Sequence, residues 1–277
     1  MKYSLLHATR GMPQRAIATR EKWLKAAKDP SNVEHVFAYQ SDDEPSKHWI
    51  GKNADMISVT TEPPPEWASS SVANWNAAAA KATGDWLIVI ADDLLPVPGW
   101  DALLSRDIAT TPNSSQPLAI QAPDGINNDW LLRHPVINRA LYDLRGYVFN
   151  PEFYGVFCDN DLTTWCYRNA WTKLATYFSV QHVHPINSGR SSDAIVELQN
   201  SQRAYEYGQK TFAKLWPQMT RRHIVDTHSV WIGPKLGLME RLTLTLLLRY
   251  GHKPTLWHGE EFDLSSVLPG VTCKSLP

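Results

Sequence analysis

Two adjacent carboxylates, Asp92 and Asp93, follow directly on five large apolar residues, Trp86-Leu87-Ile88-Val89-Ile90. Neighbouring carboxylates repel one another unless a cation lies between them, and oxygen ligands of this kind hold hard divalent ions. The Gly84-Asp85 turn and the apolar run after it predict a buried strand. Pro96, Pro98 and Gly99 stop any regular element before Trp100 and Asp101. The aspartate pair is therefore expected at the carboxyl end of a central strand, where open α/β sheets take their ligands. A second chemical candidate is Gln181-His182-Val183-His184-Pro185. Alternation puts both imidazoles on one face of an extended segment, suited to a metal, although a pair of surface histidines has the same pattern.

The elements around these residues read as an α/β sheet. Residues 3–7 predict a first strand, residues 15–28 a helix with Ala16, Trp23, Leu24 and Ala27 on its apolar side, and residues 33–39 a second strand. This β-α-β start is what a nucleotide-binding half-sheet requires. Thr9 and Arg10 fall at the mouth of its crevice, where Arg10 either pairs with Asp42 or contacts a phosphate. Strands are expected at 55–60, 118–122 and 176–180. Helices are expected at 70–81, with Asn74 and Asn76 near its start, from Trp100 onward, and over 194–216. Residues 189–193 read as a mobile loop over the ligand.

Composition narrows the class. At 277 residues the chain holds one large α/β domain, or one domain and an appendage. A formal charge of −1 and a pI near 6.8 leave no electrostatic footprint for bulk nucleic acid. Three cysteines, Cys158, Cys166 and Cys273, lack metal spacing. Reduced thiols, with no signal peptide and no apolar run of membrane-spanning length, imply a soluble cytoplasmic protein. Of twelve tryptophans, Trp67, Trp100 and Trp130 lie in loop-like contexts and are candidates to stack on a sugar ring or a nucleobase.

The apolar strand, Asp92-Asp93, the proline-containing loop and Gly99-Trp100-Asp101 resemble the metal-binding aspartate motif of GT-A glycosyltransferases, particularly the family 2 type. Upstream, Asn76, the alanine-rich stretch 77–80 and Ala82-Thr83-Gly84-Asp85 strengthen the likeness, which covers roughly residues 3–170. The resemblance implies a Rossmann-like nucleotide-diphospho-sugar transferase fold. It also implies a Mn or Mg ion held by Asp93 against the donor diphosphate, with Asp92 reaching ribose or metal. An aspartate after the second strand, Asp42 or Asp43, would contact base and ribose, and Thr9, Arg10 and Asn76 complete the donor-binding set. Members end this region in a Glu-Asp-x-Asp-Leu-like stretch at a helix start. Cys158-Asp159-Asn160-Asp161-Leu162 matches it, with Cys158 where the glutamate usually stands. Asp159 is thereby aligned with the general base of inverting members, and Asp161 is the second acid or the helix cap. A late histidine as metal ligand is matched by His184, which precedes a proline.

The implied activity is metal-dependent transfer of a sugar, from a UDP-sugar by default, to an acceptor hydroxyl with inversion. The acceptor is a glycan, a lipid-linked glycan or a modified nucleobase. A nucleotidyltransferase shares the sheet and the carboxylate-bound metal, but its phosphate loop is matched only by Thr9-Arg10-Gly11. A catalytically inactive sugar- or nucleotide-binding module of the same fold is the third reading. Residues 1–222 form the GT-A-like domain, and 223–277 a β-α-β extension. In the extension Trp231-Ile232-Gly233, Gly251-His252 and Leu256-Trp257 resemble the opening of a second, Asp-x-Asp sugar-binding-region glycosyltransferase. The chain stops at Pro277, before a second such motif, so the extension is expected to be a packing appendage or the start of a tandem enzyme. Its predicted helix at 236–250 is apolar all round, which requires packing on the main domain or on a second copy of the chain, a homo-oligomer.

Overall fold

A computed structural model describes residues 1–67, 69–125, 131–183 and 194–217, together with three strands at 228–231, 255–258 and 272–275. The chain divides into two compact units, Met1–Thr211 and Phe212–Pro277.

The first unit opens with β1 (Tyr3–Ala8), α1 (Pro13–Ala26), β2 (Val33–Gln40) and β3 (Ile57–Thr61). There follow α2 (Ser71–Lys81), β4 (Trp86–Ile90), β5 (Leu94–Pro96), α3 (Trp100–Ala109), β6 (Ala119–Gln121) and β7 (Pro135–Asn138). Then come α4 (Arg139–Arg145), α5 (Cys158–Arg168), β8 (Thr172–Leu174), β9 (Val180–His182), α6 (Ala194–Gln199) and α7 (Gln202–Leu215). Among the described residues seven strands make one mixed sheet in the order β3-β2-β1-β4-β7-β6-β8. β1 to β4 are mutually parallel, and β7 runs antiparallel to both β4 and β6. This is the expected α/β architecture. All five residues of β4 are buried, as a strand covered on both faces requires.

Between the sheet, α1 and α3 the core is aromatic. Trp23 and Trp100 meet edge-to-face with centroids 5.1 Å apart, and Tyr3 meets Trp100 at 5.5 Å. Each indole finds an acceptor, Trp23 Nε1 donating to the Leu94 carbonyl at 2.8 Å and Trp100 Nε1 to the Trp23 carbonyl at 2.9 Å. Trp100 is fully buried. The expectation that it stacks on a ligand is thereby corrected: it locks α1 to α3 below the aspartate loop.

Two elements depart from the sequence pattern. Residues 176–180 are aromatic enough to read as a strand, yet only Val180–His182 is extended in a ladder. The reason is Asp107 on α3, wholly buried, which accepts backbone N–H groups from Thr176, Tyr177 and Phe178 at 2.8, 3.0 and 2.8 Å. The segment wraps a carboxylate instead of pairing with a strand. The long helix expected over 194–216 is divided into α6 and α7, because Ser201 begins a new turn with its Oγ accepting from Ala204 N at 3.3 Å.

Among the described residues of the second unit, β10 (His228–Trp231), β11 (Thr255–His258) and β12 (Thr272–Ser275) form a parallel three-stranded sheet in that order. Parallel neighbours need a crossover between them. The apolar helix expected at 236–250 lies outside the described residues. Among the described residues no helix is long and apolar enough to cross a membrane.

Asp107→Ala removes the acceptor for three backbone donors and should cost about 3–5 kcal/mol of stability, the usual scale for breaking a buried charged network. Urea denaturation of the purified variant checks it, and an unchanged midpoint would refute the role assigned to Asp107. Glu34 offers an acid-limb counterpart. Burial alone would raise its pKa, but hydrogen bonds from Thr83, Lys2 and Ser4 hold it at about 2 against an ordinary 4.5. Its contribution is complete above pH 4.5 and lost as the pH falls toward 2. Glu34→Gln should therefore flatten that part of the stability profile.

Candidate functional site

The site begins where β4 ends. Ala91, Asp92 and Asp93 form one wall of an open cleft of about 190 Å³, also lined by Thr9 and Arg10 after β1. Ser71, Asn74 and Trp75 of α2, together with His134 and His182, complete the walls. Parallel register brings β1 and β4 to a common edge, with His7 opposite Ile90. The two loops must therefore open on the same side, at the carboxyl ends of the strands.

The two aspartates have different partners. Asp92 Oδ1 accepts from His7 Nε2 at 2.7 Å and Oδ2 from Thr9 Oγ1 at 3.2 Å. Its main-chain carbonyl accepts from Thr19 Oγ1 at 2.7 Å. Asp93 instead faces the β9 segment. Its carbonyl accepts from Val183 N at 2.8 Å, and its Oδ2 lies 3.4 Å from His182 Nε2. Burial alone would raise the Asp93 pKa, but the hydrogen bond and charge of His182 outweigh burial and hold it at about 2. For His182 burial works toward the neutral ring, yet Asp124 and Asp93 push its pKa up to about 9. Arg133 supports the far side, its Nε 3.1 Å from Asp124 Oδ2. His134 packs edge-on against His182, centroids 4.8 Å apart, and burial brings its pKa down to about 3, so it is a neutral ring beside an imidazolium.

The remaining sequence candidates separate into two groups. Thr9, Arg10, Asp92 and Asp93 share the cleft. Arg10 forks onto Asp42 at 2.6 and 2.8 Å and also donates to Gln40 Oε1 at 2.8 Å, so its charge is already paired at the rim. Asp42 and Asp43 are not among the residues lining the cleft. Asp43 is buried and accepts from Gly11 N at 2.9 Å and Ser46 N at 3.2 Å, capping the short helix Glu44–Ser46 after β2 and holding the turn after β1 against it. Asn76 is spent on the backbone as well, accepting from Val148 N and Phe149 N at 3.0 Å each and donating to the Phe149 carbonyl at 2.7 Å. Its geometry is that of a clamp on the 148–149 turn and not that of a ligand contact.

Asp159 and Asp161 both stand in the first turn of α5. Asp161 is 3% exposed and makes an ion pair with Arg145 at 2.9 Å, whose guanidinium also lies over Trp165 at 4.7 Å. Such a carboxylate anchors the helix. Asp159 is half-buried, its Oδ1 accepting from Asn160 N at 3.0 Å. Gly155 and Val156, just ahead of it, line a smaller hollow with Trp67, Tyr154 and Tyr207, and this hollow shares Ser69 and Gln199 with the main cleft. Trp67 is thus placed at a hollow, while Trp130 and His184 lie outside the described residues.

Sequence reasoning passed over His7, His134 and, as the preferred ligand, His182. The signal for His182 was in the alternating pattern; its antiparallel pairing with Leu94, across β5 and β9, is what brings it beside Asp93. His7 carried no signal beyond being a polar residue inside a buried strand.

No family model and no curated protein matches the chain. Solved structures do. Residues 1–349 of S. aureus TarS match with a TM-score of 0.50 at 11% identity, covering 90% of this chain and 80% of that one. The same fragment has been solved with UDP and with UDP-GlcNAc. Glucosyl-3-phosphoglycerate synthase from Mycobacterium tuberculosis, in complex with Mg2+ and UDP, matches with a TM-score of 0.50 at 12% identity, covering 78% of this chain and 79% of that one. The likeness defines the fold: this chain has the GT-A architecture of nucleotide-sugar glycosyltransferases, as its aspartate motif implied.

The Asp93–His182 pair has a definite pH signature. Asp93 contributes stability above its ordinary 3.8 that is lost as the pH falls toward 2. His182 contributes stability below its ordinary 6.5 that is lost as the pH rises through 9. In His182→Phe the half-buried Asp93 loses its nearest cation, and its carboxyl should titrate above 3.8. Carboxyl carbon NMR reads this directly, and an Asp93 still titrating near 2 would disprove the pairing.

Proposed function

We propose that the chain is a glycosyltransferase that moves a sugar from a nucleotide-sugar to an acceptor hydroxyl. One observation carries the reading: a cleft at the carboxyl ends of β1 and β4, in a GT-A sheet, presents Asp92 and Asp93 from a single turn. The neighbours crystallised with UDP, UDP-GlcNAc or UDP and Mg2+ support a nucleoside-diphosphate donor and a divalent ion.

The residues present suit such an ion. Asp93 and, once its proton is displaced by the ion, His182 Nε2 offer an oxygen and a nitrogen 3.4 Å apart, a donor set compatible with Mn. Among the described residues no third His, Cys, Asp or Glu joins them in a metal-binding group, which leaves coordination positions for water and diphosphate oxygens. Asp93 would hold the ion, with His182 or His184 as nitrogen ligand. Once bound, an ion there supplies charge stabilisation for the departing diphosphate.

Asp92, pinned by His7 and Thr9, would accept hydroxyl hydrogens of the donor ribose. Asp159 would take the proton from the acceptor hydroxyl as it attacks the anomeric carbon, giving inversion. It is half-buried and follows, three residues on, Val156 of the hollow that shares Ser69 and Gln199 with the cleft, and this favours it over Asp161, which is buried and ion-paired with Arg145. The β-α-β extension at 223–277 would serve as a packing unit, on the main domain or on a second copy.

Hydrolysis and transfer assayed on a panel of UDP-, GDP- and ADP-sugars, with and without Mn, test the reading. Asp93→Ala should abolish Mn-dependent nucleotide binding by calorimetry, with a fold retained by circular dichroism and a melting temperature lowered by the loss of the Asp93–His182 pair. Asp159→Asn should lower transfer by about 10²-fold or more and leave donor binding unchanged. Full transfer by Asp159→Asn, with its loss in Asp161→Asn, would move the base to the second acid. No sugar release from any donor would favour an inactive binding module.

A further inference from the structure

Two histidines lie inside the sheet behind Asp92, and the donor reading does not use them. His35 on β2 pairs in register with Leu5, and His7 on β1 pairs with Phe37, so the two rings are diagonal neighbours on adjacent strands. Both are buried, at 5% and 0% exposure, and Phe37 packs against each, with centroids 4.3 Å from His35 and 5.1 Å from His7. His7 Nδ1 lies 3.1 Å from His35 Nε2, and His7 Nε2 lies 2.7 Å from Asp92 Oδ1. A hydrogen-bonded chain thus runs from β2 through β1 to the end of β4.

We propose that His7 and His35 are positioning residues that set the Asp92 carboxylate for the ribose hydroxyls of a nucleotide donor, an inference that rests on reading the cleft as a nucleotide-sugar site. A buried imidazole costs folding free energy unless it is hydrogen-bonded, and two apolar rings of similar volume would fill this space without that cost. The arrangement is therefore poor value as core packing alone. Its one outlet is the carboxylate at the cleft. Against a carboxylate, which only accepts, His7 Nε2 is the donor. The second ring nitrogen of His7 is engaged by His35, which makes no other side-chain hydrogen bond among the described residues. The His7 ring is thereby held at both ends.

The consequence falls on Asp92. The terminal torsion of an aspartate is soft and nearly two-fold, so an unsupported carboxylate samples many orientations. Here one oxygen is fixed by His7 and the other by Thr9 at 3.2 Å. A carboxylate has about four lone-pair directions. With two occupied from behind, the other two are left for hydroxyl donors in the cleft. Asp93, by contrast, is held by β9 and takes no part in this chain of bonds.

Calorimetry with UDP, GDP and ADP, each with Mn2+, on wild type, His7→Phe, His7→Gln and His35→Phe tests the assignment. The diphosphate that wild type binds should bind about 10- to 100-fold more weakly to His7→Phe, the scale of a lost hydrogen bond to a charged group. His7→Gln, whose Nε2 can donate from nearly the same place, should recover most of that loss. His35→Phe should weaken binding less, and both phenylalanine variants should melt no lower than wild type. Equal affinity of His7→Phe and wild type overturns this inference and leaves the donor reading intact. No binding of any diphosphate by wild type overturns both. A second readout needs no folded His7→Phe: the Nε2 proton of His7 should resonate far downfield in wild type and be lost in Asp92→Ala. A spectrum unchanged by Asp92→Ala also overturns the inference.

Discussion

The contact on which the site depends is the one between the end of β4 and the β9 segment. β5 pairs antiparallel with β9, the Asp93 carbonyl accepts from Val183, and the Asp93 carboxylate faces a charged His182. Without that tie the cleft would lose the His182 side of its wall and the Asp93 carboxylate its charged partner. The tie is itself held from behind. Asp107 gathers the backbone of 176–178, and the Pro123 and Asp124 carbonyls accept from Val180 and His182. A late segment of the chain is thus fastened to the first half of the sheet by bonds to carboxylates and carbonyls, with little ladder of its own.

The same economy explains which polar residues are scaffold and which face the cleft. Asp43, Asp101 and Asp107 accept pairs or triples of backbone N–H groups, and Asn76 and Asn138 clamp turns through both ends of their amides. Loops without ladders leave backbone donors that must be satisfied, and short polar side chains are how this fold satisfies them. Asp92 and Asp93 differ because their partners are side chains. Imidazoles and a hydroxyl can yield a lone-pair direction to a ligand, whereas a carboxylate holding three main-chain amides cannot without unfolding a turn.

Legibility in the sequence follows that division. The strand 86–90 and the aspartates after it were legible because burial on both faces leaves an unbroken apolar run, and proline and glycine mark its end. The opening β-α-β was legible by periodicity. What was not legible is where a side chain's bonds go. Asp43 and Asn76 stand at positions that suit a ligand contact in the sequence pattern, and only tertiary structure shows their bonds running to Gly11 and to the 148–149 backbone. Residues 176–180 read as a strand because aromatic content reports burial, and burial is equally served by a loop wrapped on Asp107. That His182 faces Asp93 was set by the register of two three-residue strands, which no propensity scale contains.

Charge balance within the cleft argues for a cationic occupant. Asp92 is met by an imidazole and a hydroxyl, Arg10 is committed to Asp42, and Asp93 shares His182 with Asp124, which also draws on Arg133. Arg10 and His182 are thus committed to acids, so a diphosphate entering beside two aspartates would meet their repulsion unless it brought its own cation. A divalent ion entering with the nucleotide relieves both demands at once, neutralising the aspartate pair and the incoming phosphates. On the proposed reading, that coupling would make metal and nucleotide binding mutually dependent, each weak alone and strong together, and would tie the chemistry of the site to the two carboxylates at the end of one buried strand.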